Sequence, residues 1–470
     1  MEARSRARTP RRIRRVVGST LGVASLALLG SVGSLAASPA ANAASGTTNS
    51  LAFGSAVNVG SVGSLGEPGI VVAPPGTPNA GNLYIDAPTG VPSASDVFLS
   101  TNGGSKWSLT PAGLRALAPG GGDVNLAVGP ASGNLYLIDL WLGSSTASES
   151  TNNASSWVPD PLGGLVVQDR QWIAPAGGGS AYVAYHQIPT GILVTKMVSV
   201  GGALVPTTTT VAATVADQTG CECPPGNLVS QGSSDVGIIY STSSGGVNFA
   251  SSTNGGLTFT NATVAPASSA STLDSFPVVA DAGSGNLVAV WLDDSSNGTN
   301  VELATSSDFG ASWSTPSTLL SRHTGTYVYP WVAAQGSQAV VSYYNATTSS
   351  GSNLQGGTPD AAPSSTLWYE NALGLTMSGF GPGSSYTATS PVVADPTPVK
   401  NGPVCTQGAG CSANRQLLDF QSVALGQASS SGAIPVYLAY TDVCGFSGSE
   451  CPNNPSTNTQ LRFVGGTVPP

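Results

Sequence analysis

The sequence predicts an all-β protein: a propeller of seven four-stranded blades whose ring is closed by a strand from near the N-terminus. Three observations predict it. A unit of short apolar runs joined by glycine-rich turns returns seven times. An octet of small polar residues ending in an aromatic recurs four times at one place in that unit. No long stretch carries the 3.6-residue apolar period of a helix.

The repeat reads as an acidic or aromatic residue, an apolar run, a turn, and a second run rich in Tyr and Val. It appears as EPGIVVAP…GNLYIDAP from Glu67, DVNLAVGPASGNLYLIDLW from Asp123 and DRQWIAPAGGGSAYVAYHQ from Asp169. A degenerate copy, GNLVSQGSSDVGIIYS, follows from Gly226. DSFPVVADAGSGNLVAVWLDD from Asp274, YVYPWVAAQGSQAVVSYYN from Tyr327 and LLDFQSVALGQASSSGAIPVYLAYTD from Leu417 complete the set. Runs of this length, β-branched and bounded by Gly, Asn and Ser, are strands. Four strands in a radially repeated unit of about 50 residues make a propeller blade. The weakness of the fourth copy leaves six blades as the alternative count. Blade seven has only three strands before the chain ends, so LAFGSAVNVGS (51–61) is expected to supply its outer strand and staple the two ends together. A single domain is expected over residues 44–470, with an insertion at about 347–414.

Residues 1–43 read as a secretory leader. Seven arginines lie between Arg4 and Arg15, an uncharged apolar run follows, and Ala41-Asn42-Ala43 offers a cleavage site. The full chain has 15 basic and 24 acidic residues, and losing the leader's seven Arg and Glu2 leaves a net charge of −15. Such a surface repels phosphate backbones, which excludes nucleic acid as a partner. No other uncharged run approaches membrane-spanning length, so no membrane association is expected after cleavage. The expectation is a monomer, secreted or at the cell surface, that stays soluble through hydroxyls and amides.

The octets are STNGGSKW (Ser100, Asn102, Gly104, Trp107), STNNASSW (Ser150, Asn152, Trp157), STNGGLTF (Ser252, Asn254, Gly256, Phe259) and SSDFGASW (Ser306, Asp308, Gly310, Trp313). Asn or Asp tolerates left-handed backbone and bonds nearby amides, and Gly takes a positive φ without a Cβ clash, so each octet reads as a hairpin. The closing aromatic packs beneath the turn, a structural role that repetition favours over sugar binding. The pattern resembles the Asp-box, or BNR repeat, of sialidases and related propellers, fully in SSDFGASW and with Asn for Asp in the other three. STNNASSW also lacks the glycine, at Ala154.

Strand direction separates two faces. The octets mark one; the starts of first strands and the ends of second strands meet on the other, near the axis. First-strand starts supply Glu67, Asp123, Asp169 with Arg170, Tyr329, and Asp419 preceded by Arg415. Second-strand ends supply Asp86, Asp139, Tyr185 with His186, Asp293, Tyr344 and Tyr440. Arg322 precedes blade six. The resemblance to sialidases implies a carboxylate clamp of Arg170, Arg322 and Arg415, with Tyr440 in VYLAYTD as nucleophile and Asp169, Asp86 or Asp419 as acid/base. His186 and Tyr329 are expected to line the substrate site. Residue by residue the likeness breaks at the first blade, where EPGI stands in place of the family's arginine motif, which argues against strict sialidase activity. Tyr440 also has equivalents at Tyr185, Tyr240 and Tyr344, so a packing aromatic is the competing reading. The arginines equally suit salt bridges to Asp169 or Asp419.

Three functional readings stay open. One is exo-hydrolysis of an extracellular glycan or glycoprotein in the sialidase manner. The second is hydrolysis by paired carboxylates. The third is non-catalytic binding of glycan or protein. No cofactor is implied; the acidic collar has oxygen ligands suited to Ca²⁺, but no loop has a dense calcium signature. The six cysteines, Cys221, Cys223, Cys405, Cys411, Cys444 and Cys451, fall in loops of the same face and suggest disulfides in an exported protein. Pairing 405 with 411 and 444 with 451 is simplest among fifteen connectivities.

Overall fold

The computed structural model describes residues 51–60, 66–90, 95–110, 120–141, 143–162, 168–187, 190–214, 225–267, 275–295, 297–444 and 459–470. The leader expected at 1–43 and Cys221, Cys223 and Cys451 lie outside these residues. Seven antiparallel sheets follow one another along the chain. Blade one, for example, is built from Gly69–Val72, Leu83–Ala87, Asp96–Ser100 and Ser108–Leu109, in that order from the axis outward. Seven blades therefore stand, and the weak fourth copy is a full four-stranded sheet from Pro225–Gln231 to Thr260–Ala265.

The ring closes as the chain-end count requires. Blade seven takes three strands from the C-terminal end, Ser422–Leu425, Ile434–Asp442 and Gln460–Val468. Its outer edge is then completed by Ala52–Phe53 against Thr467 and Gly466, and by Val57–Asn58 against Phe463 and Arg462. The stretch expected as an insertion holds the third strand of blade six, Leu367–Met377, with three short partners on its outer edge. Beyond them the connection to blade seven returns to the axis, closed on itself by the Cys405–Cys411 disulfide. Cys444 is also disulfide-bonded.

The sheets pack face to face through apolar side chains of the middle strands, which are buried along most of their length. Inner strands carry a free edge, and asparagines of the preceding blade satisfy part of it. Asn125 accepts from the Ile173 amide at 2.9 Å, and Asn227 both accepts from Val279 N (2.7 Å) and donates to Val279 O (2.8 Å). Such pairing keeps buried backbone groups from going unbonded.

The octets are hairpins that lock neighbouring blades. In all four, the first serine's Oγ accepts from the amide four residues on, at 2.8–3.1 Å. The Asn or Asp Oδ1 accepts from the amide four beyond itself, at 2.8–3.1 Å. The closing aromatics face the previous blade: Trp107 meets Phe463 edge-on at 5.2 Å, and Trp313 meets Phe249 at 5.5 Å. Gly310, at φ +84°, lies so close to Phe249 that a Cβ there would come within 2.1 Å of the ring. The glycine thus serves both the left-handed turn and the blade contact.

Candidate functional site

At the face opposite the octets, inner strands enter the ring through strained backbone. Glu67, Arg170, Tyr329 and Leu418, at or just before the inner strands of blades one, three, six and seven, all have φ between 46° and 58°. Asn414, on the loop tied by Cys405–Cys411, is at 62°. Bulges accompany the strain in blade three, between Asp169 and Trp172, and in blade six, between Val328 and Trp331. Left-handed conformations of non-glycine residues are costly, and Tyr with its bulk and the two residues before proline (Glu67, Tyr329) are the costlier cases. The distortion turns these side chains toward the axis, where they meet.

What they build is a chain of alternating charge. Arg170 Nη1 lies 3.2 Å from Glu67 Oε2 and 3.5 Å from Asp123 Oδ1. Arg415 Nη2 approaches Glu67 Oε1 at 4.0 Å and clasps Asp419 through both Nε (3.1 Å to Oδ1) and Nη2. The order around the floor is therefore Asp123, Arg170, Glu67, Arg415, Asp419. Asp169 stands beside Asp123, exposed to the funnel, and bonds the Arg170 amide at 2.9 Å. Tyr329 is buried under the rim and donates to the Cys405 carbonyl at 3.0 Å, so the disulfide loop is anchored to the site it carries Arg415 into.

Beneath the charges lies an aromatic plate. Trp172, Phe276, Trp331 and Phe420 follow the entry points of blades three, five, six and seven, and their rings contact one another at 5.3–6.3 Å. The Arg170 guanidinium sits over Trp172 at 4.2 Å and over Phe420 at 4.5 Å. With Arg170 only 2% exposed and its Nε and Nη2 without hydrogen-bond partners, the ring faces replace water for that half of the fork.

The electrostatics follow from crowding. Burial, then the charges of Asp419 and Asp123, push the Glu67 carboxyl well above its usual range against the pull of both arginines. Desolvation, then Asp123, raises Asp169 to about 6. Asp86 lies behind the floor, fully buried over Gly69, with neither carboxyl oxygen bonded. Burial lifts it to about 7. Asp139, its counterpart in blade two, accepts from Ser95 and from the Gly121 amide and also rises to about 7, chiefly through burial.

The other expected site residues lie elsewhere. Arg322 is held on blade five by Asp293 (3.4 Å), Asn300 (3.1 Å) and Ser295, so two of the three arginines meet and the third does not join them. His186 is buried opposite Asp169 in the blade-three sheet. Tyr440 is fully buried between blades six and seven and donates to Asp395 at 2.7 Å. Burial and the Asp395 charge push its phenol far up, the reverse of what an activated nucleophile needs. Around it a closed polar network links Arg462 to Asp395 (3.1 Å) and to Asp442 (2.7 Å). Among the described residues no cluster of three or more His, Cys, Asp or Glu could hold a metal ion.

The aromatic plate and the Asp395–Arg462 pair were not found from sequence. For the plate a signal existed: Trp172, Phe276, Trp331 and Phe420 recur at or just before the inner strands of four blades, in DRQW, SFP, YPW and LDF. Asp395 had none, because it sits in a non-repeating connection.

No family model matches the sequence, and no curated protein matches it. Among solved structures the chain is similar to the α-L-arabinofuranosidase of Fusarium graminearum, at 10% identity over 89% of this chain and 98% of that one, with a TM-score of 0.45. It is also similar to the α-L-arabinanase of Penicillium chrysogenum complexed with arabinobiose, at 12% identity over 89% and 98%, TM-score 0.43. The Aleuria aurantia lectin is similar over 54% of this chain and 79% of its own, at 14% identity and TM-score 0.38.

Proposed function

We propose that the funnel takes the neutral terminal sugar of an extracellular glycan and hydrolyses its glycosidic bond with a pair of carboxyl groups. The observation that carries this reading is the unequal state of the funnel's acids. Asp169 is exposed and raised to about 6, so it holds a proton in weak acid. Asp419, at the far end of the charge chain, is clasped by Arg415. Two acids in different environments are what acid/base hydrolysis of a glycoside requires. In this reading Asp169 gives its proton to the glycosidic oxygen as the C–O bond breaks. Asp419 takes the proton of the water whose oxygen bonds to the anomeric carbon. Arg170 and Arg415 fix the carboxylates, and the plate below makes the funnel blind, which suits a chain end.

Neutral sugars fit and anionic ones do not. Both arginine forks are already engaged by acids, and Asp123, Asp169, Glu67 and Asp419 outnumber them. A sugar carboxylate would have to displace Glu67 or Asp419 and accept a net repulsive site. The basic, apolar and small order of residues 1–43 and the Cys405–Cys411 disulfide support an exported protein.

A panel of fluorogenic glycosides, neutral pentosides and hexosides beside a sialoside, tests the proposal on the purified protein. Turnover of a neutral member that disappears in Asp169→Asn is expected. Turnover of the sialoside alone, or of nothing, overturns it.

A further inference from the structure

The four octets are not equally complete. In three of them the third residue bonds the side chain of the seventh. Asn152 Nδ2 donates to Ser156 Oγ at 2.7 Å, Asn254 Nδ2 donates to Thr258 Oγ1 at 2.8 Å, and Ser312 Oγ donates to Asp308 Oδ2 at 2.6 Å. Blade one carries Asn102 and Lys106 at these two positions. An amide NH2 and an ammonium are both donors, so they cannot bond each other. Among the described residues Asn102 Nδ2 has no acceptor. A carboxylate at 102 would complete this octet as Asp308 completes its own, with Lys106 as its charged partner.

The same hairpin holds the chemistry that makes a carboxylate from an amide. Asn102 is exposed, and the backbone nitrogen of Gly103 after it has no hydrogen-bond partner among the described residues. Nothing screens the approach, since no atom lies within 4 Å of where a Cβ of Gly103 would stand. Asn102 Oδ1 accepts the Ser100 hydroxyl at 2.9 Å and the Lys106 amide at 3.0 Å. Two donors on one carbonyl oxygen draw charge from Cγ and stabilise the oxyanion that forms when a nucleophile adds there. The other two Asn octets each lack a part of this arrangement. Asn254 also precedes a glycine, but Gly255 N donates to Ser234 O at 2.8 Å, and Lys196 Nζ stands 3.4 Å from the Cβ position of that glycine. Asn152 precedes Asn153, whose own side chain is bonded across the blade contact by Asn82 at 3.0 Å.

We propose that Asn102 is a self-modifying site, at which the neighbouring Gly103 nitrogen displaces ammonia from the side chain and water then leaves aspartate in its place. The Gly103 nitrogen gives its proton to water and bonds to Asn102 Cγ. Nδ2 takes up a proton as its bond to Cγ breaks and departs as ammonia, leaving a cyclic imide. Water adds at Cγ, the Cγ–N bond breaks, and the Gly103 nitrogen recovers its proton. One water is consumed and one ammonia released, with no change of oxidation state. Opening the imide at the main-chain carbonyl instead would give isoaspartate and lengthen the chain by a carbon. That would spoil the spacing that lets Ser100 Oγ accept from Gly104 N and Oδ1 accept from Lys106 N, so the hairpin selects aspartate. The octet concerned lies on the ring-closing seam, where Gly104 and Trp107 both press against Phe463 of the last blade. Conversion adds a negative charge and a partner for Lys106 at that seam.

The intact protein, incubated at neutral pH and sampled over time, is read by mass-spectrometric peptide mapping. Asn102 is expected to convert at least about tenfold faster than Asn254 or Asn152, with aspartate as the main product. In urea, where both Asn-Gly pairs are released from their hairpins, Asn102 and Asn254 should convert at matching rates. Lys106→Ser gives Nδ2 the acceptor that Ser156 gives Asn152, and it should slow conversion about fivefold, the worth of one net hydrogen bond. Conversion of Asn254 as fast as that of Asn102 in the folded protein overturns the proposal, as does isoaspartate as the main product. A rate unchanged in Lys106→Ser, or an Asn102 that converts in urea and stays intact in the folded protein, overturns it as well.

Discussion

Asp86→Asn isolates the consequence of a buried carboxyl that nothing pairs. Asp86 fills the space over Gly69, where a Cβ would lie 2.2 Å from its Oδ1, and its pKa rises from 3.8 to about 7. A raised folded-state pKa means that folding favours the protonated acid. Its contribution is complete below about pH 4 and is lost as pH rises through about 7. Between pH 5 and pH 8 the difference withdraws about 3 kcal/mol, from about two pKa units at 1.36 kcal/mol each. Asp139, raised to a similar value, withdraws stability over the same window. Urea unfolding at pH 5 and pH 8 reads this directly. The wild type should be markedly more stable at pH 5, and Asp86→Asn should remove about 3 kcal/mol of that difference while leaving the fold intact. An amide cannot ionise, so its own unbonded groups add a cost of about 1–3 kcal/mol that is the same at both pH values. A variant with the wild-type pH dependence, or a wild type that gains stability toward pH 8, would refute the argument.

Four further outcomes are expected. If Asp169 is the acid, kcat on a neutral glycoside should fall about tenfold per pH unit above pH 6, and Asp169→Asn should lower it at least about 100-fold with substrate affinity retained, as isothermal titration would show. Tyr440→Phe should leave kcat unchanged while costing about 1–3 kcal/mol of stability, since Asp395 loses a buried donor; a collapse in kcat without loss of stability would instead favour a tyrosine nucleophile. Gly310→Ala should destabilise by about 2–4 kcal/mol, because both the φ of +84° and the Phe249 ring oppose a methyl group. Deleting residues 51–60 should lower the melting temperature sharply and expose the outer edge of the last blade, seen as concentration-dependent association.

The sequence made the blades legible because each is a local event. Alternating apolar runs and turn residues specify a four-stranded sheet within about 50 residues, and the octets repeat the hairpin chemistry residue for residue. The closing strand was legible by counting, since a blade left with three strands needs a fourth. The funnel was legible as a face: Glu67, Asp123, Asp169, Arg170, Arg415 and Asp419 all occupy first-strand starts. Depth was not. Tyr440 and Asp86 stand near the ends of second strands as the repeat predicts, but a side chain there points into the neighbouring blade, and the sequence carries no sign of that turn. Arg322 precedes a strand start in sequence yet belongs to the outer edge of blade five, because its partners Asn300 and Ser295 come from the preceding hairpin. The third strand of blade six was hidden by the long polar connection that precedes it, which broke the repeat spacing.

Closing the ring with both ends of the chain also dictates the order in which the molecule can be completed. Ala52 pairs with Thr467, so one of the earliest strands to emerge during synthesis must wait for one of the last. Six blades can form from neighbours in sequence, each needing only short loops to close. The seventh demands a contact across more than 400 residues, and until it is made the propeller is an open arc with an unpaired edge. The final blade is therefore the step that turns a row of hairpins into a ring, and the funnel, through Arg415 and Asp419, comes into being only when it is taken.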